Sequence, residues 1–263
     1  MQAKYVALSA QLARNQFHRP LVIDSKESSN AVSGSAYAVI SYPFSTVMAA
    51  FKDPDNWCEV LILHLNTKHC NAEKGSSPAV LAVSVGKKTP QDLDEAYSLD
   101  FNFKPVATRA DYMAVRLNAA NGPLGTHNYR IELEAAPVEG NKTFMHLRYS
   151  YGYGFASRLA LQAYLATVGS GKIGFSEVDS AGGGGKVPVG GMRGTVERNT
   201  VRYYLAIDTY LASLAVPASQ QFEKRLQHWF DATERYSRQL HEIDRTDYIT
   251  MKRTEYQRQQ ATQ

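Results

Sequence analysis

Between Tyr97 and Tyr153 the chain repeats one pattern, a bulky apolar residue followed by a polar one. Tyr97, Leu99, Phe101 and Phe103 alternate with Ser98, Asp100 and Asn102, and Met113, Val115 and Leu117 alternate with residues that include Arg116 and Asn118. Tyr129, Ile131 and Leu133 alternate with Arg130, Glu132 and Glu134, and after a turn around Gly140-Asn141 come Met145, Leu147, Tyr149, Tyr151 and Tyr153. A period of two sends successive side chains to opposite faces of a strand, so these runs read as a meander of antiparallel strands. One face is apolar and rich in tyrosine; the other carries Arg116, Arg130, Glu132 and Arg148 and reads as solvated. A sheet with one apolar face has to be covered, and the rest of the chain must supply the cover.

The best-signalled cover is the stretch from Met192 to Leu214. Val196, Thr200, Tyr203, Ile207, Tyr210 and Leu214 recur at helical spacing, Gly190, Gly191 and Gly194 lead in, Thr195 is placed to cap the first turn, and Glu197 stands where the helix dipole favours an acid. A helix closing a curved sheet with a stripe that bears two phenols can leave a cavity instead of a solid core.

Upstream, residues 4 to 17 read as a short helix with Tyr5, Leu8, Leu12 and Phe17 on one side, ended by Pro20 and packed on the outside. Ser35 to Ser41 reads as the first strand, Phe44 to Phe51 as a helix, and Asp53-Pro54 as the capped start of another that puts Trp57, Val60, Leu61 and His64 on one face. Asn66 to Ala72 then forms a strand that pairs with Ala79 to Val85 across GSSP. Beyond the meander, Ala156 to Val168 is helical, Lys172 to Val178 is a last strand, and Ala181 to Gly191 is a glycine-rich loop expected to be mobile and to serve as a lid. After Pro217, Ser219 to Ile243 reads as a second long helix whose stripe of Phe222, Leu226, Trp229, Tyr236, Leu240 and Ile243 either docks on the domain or meets a protein partner.

The formal charge of +4 over 263 residues is dispersed, with no basic run interleaved with aromatics, which argues against a nucleic-acid partner. No apolar run reaches the roughly 18 residues of a membrane span, and the N-terminal stretch lacks the apolar core of a signal peptide. Met1 nonetheless stands directly before a helix, as in a chain whose signal peptide has been replaced by a start codon. Cys58 and Cys70, the only cysteines, fall where the chain can bring them together; a disulfide would mean an oxidising compartment, and two buried free thiols are the competing reading. The expectation is a periplasmic or otherwise exported protein, with a cytoplasmic one as the alternative.

The order of strand, two short helices, antiparallel strands and long closing helix resembles the helix-grip superfamily of START lipid-transfer domains, Bet v 1-like proteins and polyketide cyclases, also called SRPBCC. The local likeness lies in YPFSTVMAAFKDPDNWCEVL and in the glycine-led closing helix, and it spans Ser35 to Leu214. The resemblance implies an α+β fold in which a curved antiparallel sheet wraps a long C-terminal helix, leaving a tunnel for a sterol, acyl chain, polyketide or similar ligand. On this frame residues 1–34 are a helix and lead-in, 35–216 the helix-grip domain and 217–263 a helical extension. The helix at Ala156 to Val168 and those after Pro217 depart from the minimal pattern.

The expected function is a binding or carrier protein for an apolar ligand, and the alternative is a cyclase, dehydratase or hydrolase on the same scaffold. Ligand contact is expected from Trp57, His64, Phe101, Tyr129, Tyr149, Tyr151, Arg193, Tyr203, Ile207 and Tyr210, the tyrosines serving either as walls with hydroxyl handles or as core filling. Arg193 and Arg198, with Glu197 between, either pair with a carboxylate or phosphate head at the entrance or dress a helix start. No catalytic residue, metal or cofactor is expected. GxSxG and HExxH are absent, and AGGGGKV lacks the leading Gly and the Ser or Thr of a phosphate loop. His64 and His69 fall on different elements, and His127 and His146 show no carboxylate partner in the sequence. An acid and base for the enzyme alternative would come from His64, Tyr129 or Glu177.

Overall fold

The computed structural model describes residues 1–73, 75, 78–167, 171–180 and 182–261. Helix α1 (Gln2–Ala13) precedes β1 (Leu21–Glu27) and β2 (Ala31–Ile40), after which α2 (Phe44–Phe51) and α3 (Pro54–Leu61) lead into β3 (Thr67–Glu73) and β4 (Ala79–Val85). The meander follows as β5 (Tyr97–Arg109), β6 (Tyr112–Asn121), β7 (Thr126–Val138) and β8 (Lys142–Tyr153). Then come α4 (Phe155–Thr167), the short β9 (Glu177–Asp179) and β10 (Lys186–Pro188), α5 (Gly191–Ser213), α6 (Ala218–Glu234), α7 (Ser237–Leu240) and α8 (Arg245–Ala261).

Eight strands form one antiparallel sheet in the order β1-β2-β8-β7-β6-β5-β4-β3. Helices α2 and α3 carry the chain from β2, near one end of this sheet, to β3 at the other, and α5 lies on the same face. This is the helix-grip arrangement. Register shifts at Thr67/His69, Pro105/Ala107 and His127/Arg130 are the places where the strands can bend around the helix.

Strand β2 shows how the sheet takes cover on both sides. Val32, Gly34, Ala36, Ala38 and Ile40 point toward α5, while Tyr37 and Val39 point outward and pack with Leu8, Leu12 and Phe144 under α1. The small inward residues let α5 lie close: a Cβ on Gly34 would fall on the Thr200 hydroxyl and within 3.2 Å of the Val196 carbonyl oxygen. At the opposite end α8 covers the edge strand β3. Gln259 Oε1 accepts the Cys70 N–H at 3.1 Å, and Lys68 and Lys252 share the buried carboxylate of Glu255 at 2.9 and 2.7 Å.

The structure corrects several sequence expectations. The first strand is β1, with β2 beginning at Ala31; Asp24 and Lys26 interrupt the apolar pattern of β1, which pairs through its backbone all the same. Lys172 to Val178 does not join the main sheet; only its last two residues enter a strand, β9, which pairs with β10 of the glycine-rich segment in a separate hairpin. The Val189 N–H donates to the Ser176 carbonyl at 2.8 Å and the Gly174 N–H to that of Val189 at 2.6 Å, tying this hairpin's base down. Thr195 does not cap α5: the helix begins four residues earlier, and its hydroxyl bonds the Gly191 carbonyl at 3.0 Å from inside the first turn. Ser219 to Ile243 is not one helix but breaks at Tyr236, whose ring is drawn between Phe17 and Phe175 and whose hydroxyl donates to the Phe17 carbonyl. The stripe of that segment packs within the chain, with Leu226, Trp229 and Leu240 nearly inaccessible and Phe222, Tyr236 and Ile243 partly buried.

Candidate functional site

The alternation of β7 and β8 sets Tyr129, Tyr149 and Tyr151 side by side on the face that meets α5, and the stripe of α5 brings Tyr203 to them. Tyr129 and Tyr151 stack with ring centroids 5.2 Å apart, Tyr149 lies 6.3 and 5.8 Å from them, and Tyr203 meets Tyr149 edge-on at 5.3 Å. Tyr129 gives its hydroxyl a partner, Thr126 Oγ1, at 2.9 Å. Among the described residues no hydrogen-bond partner is found for the hydroxyls of Tyr149, Tyr151 and Tyr203. Burial, reinforced by the neighbouring phenols, pushes all three well above the ordinary phenol range, so they are neutral donors at any physiological pH. Tyr203 also keeps some accessible surface despite its depth.

His64 closes one end of this cluster, its ring stacked on Tyr203 at 4.8 Å. The residue lies in the turn between α3 and β3, and α8 holds that turn by its carbonyls: Tyr248 donates to Leu63 at 3.0 Å, and Lys252 to His64 and Thr67, both at 2.7 Å. Burial, with the positive charges of Arg202, Lys252 and Lys88, drives the imidazole well below its usual pKa, so it is neutral. Its Nδ1 accepts the Asn66 N–H at 3.2 Å, which places the proton on Nε2. The residue is 3 % exposed, and with Nδ1 engaged by Asn66 the Asn199 side chain is the neighbour placed to take the Nε2 proton, though not at full hydrogen-bond geometry.

Beyond His64 lies a cluster of charge that sequence spacing did not reveal. Glu242, after α7 with its side chain 8 % exposed, takes Lys88 Nζ at 2.7 Å, Arg202 Nη2 at 2.8 Å and Lys172 Nζ at 3.2 Å. Its burial works against ionisation, but Arg202, Lys88 and Lys172 outweigh it and hold the carboxyl at about 2. The one available signal was the spacing of Arg198 and Arg202, one turn apart on α5 and both buried.

The other expected ligand contacts fall elsewhere. Trp57 spends its indole N–H on the Phe51 carbonyl at 3.0 Å, and Tyr210 packs against Phe51 with the Arg225 guanidinium over its ring at 5.4 Å. Seven residues separate Tyr203 from Tyr210, so these two sit about 10 Å apart along α5. Phe101 and Ile207 are buried in the shared apolar core. Arg193 donates to Ser25 on β1 at 3.1 Å. Glu197 is not a solvated first-turn acid: it is fully buried, accepting from the Ser25 hydroxyl at 2.5 Å and from the N–H groups of Phe175 and Ser176 at 2.6 and 2.9 Å. It staples α5 to β1 and to the segment before β9, while Arg198 reaches the Ile173 carbonyl at 3.2 Å.

Of the candidate acid–base groups, His64 and Tyr129 both border the tyrosine cluster and Glu177 does not. Glu177 is exposed on the β9–β10 hairpin, apart from the buried His64 and Tyr129. His146 does have a carboxylate, contrary to the sequence expectation: on the outer face its Nδ1 meets Glu134 at 2.9 Å and its Nε2 meets Ser35 Oγ at 3.1 Å, while Tyr112 donates to Glu134 at 2.6 Å. The order Ser, His, Glu imitates a hydrolase triad. However, β2 is paired on both sides, with Asp24 and Arg148 opposite Ser35, so the backbone N–H groups around it serve the ladder and cannot form an oxyanion hole. Cys58 and Cys70 form a disulfide, with Cα atoms 5.2 Å apart, that fixes α3 to β3.

No protein-family description and no curated protein sequence matches this chain. Solved structures do show similarity. A norcoclaurine synthase point mutant from Thalictrum flavum, in complex with a transition-state analogue, is 13% identical over 57% of this chain and 87% of its own, with a TM-score of 0.37. A protein from Arthrobacter aurescens solved in solution is 15% identical over 71% and 87%, at 0.34. Human StAR-related lipid transfer protein 5 is 10% identical over 63% and 91%, at 0.32. The fold rests on the strand order and helix placement given above.

Proposed function

We propose that this protein binds and carries an apolar small molecule between the sheet and α5, without chemistry of its own. The observation that carries the reading is the group of buried phenols of Tyr149, Tyr151 and Tyr203, whose hydroxyls have no partner among the described residues. Hydroxyls on rings this deeply buried are usually paired, so several together call for polar atoms that the described residues do not supply. The aromatic faces around them would wall an apolar body, and the hydroxyls would orient it. Tyr129, Phe101 and Ile207 belong to the same wall in this reading; Trp57, Tyr210 and Arg193 belong to its far end or its entrance.

The Cys58–Cys70 disulfide favours an oxidising compartment, which fits an exported carrier. In this reading the binding unit is the main sheet with α5, β1 and the start of β2 included, while α1 covers the outer face and 217–263 closes the β3 edge. Native mass spectrometry of the purified protein, with solvent extraction of whatever accompanies it, tests the reading. An additional mass that is lost on extraction and restored by the extract is expected. A protein that carries nothing and binds no hydrophobic fluorophore would refute it.

A further inference from the structure

Helix α4 turns apolar side chains to both of its faces. Ser157 and Leu161, one turn apart, face inward: Ser157 is buried against the turn between β6 and β7, where a Cβ on Gly125 would come within 2.8 Å of its hydroxyl, and Leu161 packs on the main core. Phe155 and Leu159, one turn apart on the opposite face, stand 81% and 52% exposed, and Gln162 continues that face. A surface helix ordinarily turns charged or polar residues outward, so the packing of α4 on the domain does not account for this stripe. The turn that α4 packs against, Pro123–Gly125, adds Leu124, 52% exposed and held at φ 56°. Glycine or asparagine takes that left-handed conformation cheaply; leucine does so at a cost, here with an apolar side chain in water.

Below this turn lies the tyrosine cluster. Thr126 Oγ1, bonded to the Pro123 carbonyl, is the partner of the Tyr129 hydroxyl at 2.9 Å, and a Cβ on Gly122 would fall on the Tyr129 ring. Tyr153, which pairs with Thr126, ends β8 two residues before Phe155. The exposed stripe therefore caps the Tyr129 end of the cluster. Residues 112–131 and 142–176, which supply this surface, contain no Asp or Glu, and Arg158 lies on α4 between the two exposed side chains; Glu27, beside Tyr153, is an acid at this end. Each partner of a stable protein interface buries roughly 800 Å² in a closely fitted patch. One ring, worth about 150–250 Å² when fully covered, and two half-exposed leucines fall well short of that. A bilayer interface takes such protruding side chains without shape complementarity and tolerates a basic neighbour whose stem lies along them. Resting on the carrier reading for its purpose, we infer that Phe155, Leu159 and Leu124 dock the protein on a phospholipid bilayer, with the Tyr129 end of the ligand site against the membrane. An apolar ligand then passes between bilayer and protein without exposing its surface to water.

Flotation of the full chain with vesicles of phosphatidylethanolamine and phosphatidylglycerol tests this, alongside uptake of a soluble hydrophobic fluorophore, which tests the carrier reading by itself. The native chain is expected to float with the vesicles. Phe155→Ser and Leu124→Asn should each weaken vesicle binding roughly tenfold, the measure of one apolar side chain returned to water, while fluorophore affinity stays within about twofold. Leu124→Asn carries a second signature: asparagine relieves the left-handed strain, so its melting midpoint should hold or rise even as membrane binding falls, which a leucine packed inside the protein would not allow. A native chain that takes up the fluorophore but does not float overturns the docking inference and leaves the carrier reading standing. Flotation that neither variant weakens overturns the assigned surface. A dimer at sedimentation equilibrium that Phe155→Ser dissolves makes the occupant a second copy and overturns the inference as well. A chain that floats and takes up no fluorophore overturns the carrier reading, and the docking surface is then that of a membrane-binding protein alone.

Discussion

Removing one hydroxyl at a time distinguishes a filled core from a space kept for a guest. In Tyr248→Phe the lost hydroxyl leaves the Leu63 carbonyl, met at 3.0 Å in the buried interior, without that donor. An interior group deprived of its partner costs roughly 1–3 kcal/mol. In a chain of this size each kcal/mol moves the melting midpoint by about 2–4 °C, so the variant should melt roughly 2–10 °C lower. Tyr149→Phe and Tyr203→Phe delete hydroxyls with no protein acceptor among the described residues, so no interaction is broken within the protein. Their cost should stay within roughly 0.5 kcal/mol. Urea and thermal unfolding of the three variants, each repeated after delipidation, give the comparison, and binding of a hydrophobic fluorophore should change only for Tyr149→Phe and Tyr203→Phe. Should those two cost as much as Tyr248→Phe in the delipidated protein, their phenols are tied to protein in solution, and the argument for a guest between sheet and α5 fails.

Other perturbations test the frame around that space. Replacing Cys58 and Cys70 with serine frees a loop closed across 12 residues and should cost roughly 3 kcal/mol, seen as a lower midpoint that reductant reproduces in the native chain; unchanged melting under reductant would count against the bond. Glu242 has a folded pKa of about 2 against an ordinary 4.5, so its contribution is complete above 4.5 and fades as pH falls through about 2. It amounts to roughly 3 kcal/mol at neutral pH, and Glu242→Gln should be less stable there and flatter along the acid limb; parallel curves would refute the assignment. Gly34→Val drives a branched side chain into Thr200 and the Val196 carbonyl, and should destabilise by roughly 3 kcal/mol or more, measured by urea unfolding. A chain ended at Pro217 uncovers the surfaces that Leu226, Trp229 and Tyr248 bury and should be insoluble; a soluble monomer by size exclusion would show that the extension is dispensable.

Much of the frame was legible because it follows from local periodicity. The meander strands, the two short helices with Asp53 as cap, and the pairing of Ala79–Val85 with the strand before it all stand close to where alternation and turn residues placed them. The misses share a different cause. Strand β1 carries Asp24, Ser25 and Lys26, so its strand character comes from pairing with β2 and not from its own pattern. The segment after Pro217 reads as one helix because the break at Tyr236 has no Gly or Pro to announce it; tertiary capture by Phe17 and Phe175 makes it.

The candidate site divides in the same way. Tyr129, Tyr149, Tyr151 and Tyr203 could be assigned to facing surfaces from period two in strands and 3.6 in the helix, because side-chain direction is a local property of the backbone. That Glu197 is a buried staple, that His64 is neutral, and that Lys88, Lys172 and Arg202 converge on Glu242 could not be assigned, since these residues meet their partners across as many as 188 positions of chain. Periodicity determines which face of an element a residue occupies; only the packing of one element on another decides which charges are desolvated together, because the cost of burying a charge depends on every neighbour that the fold assembles around it.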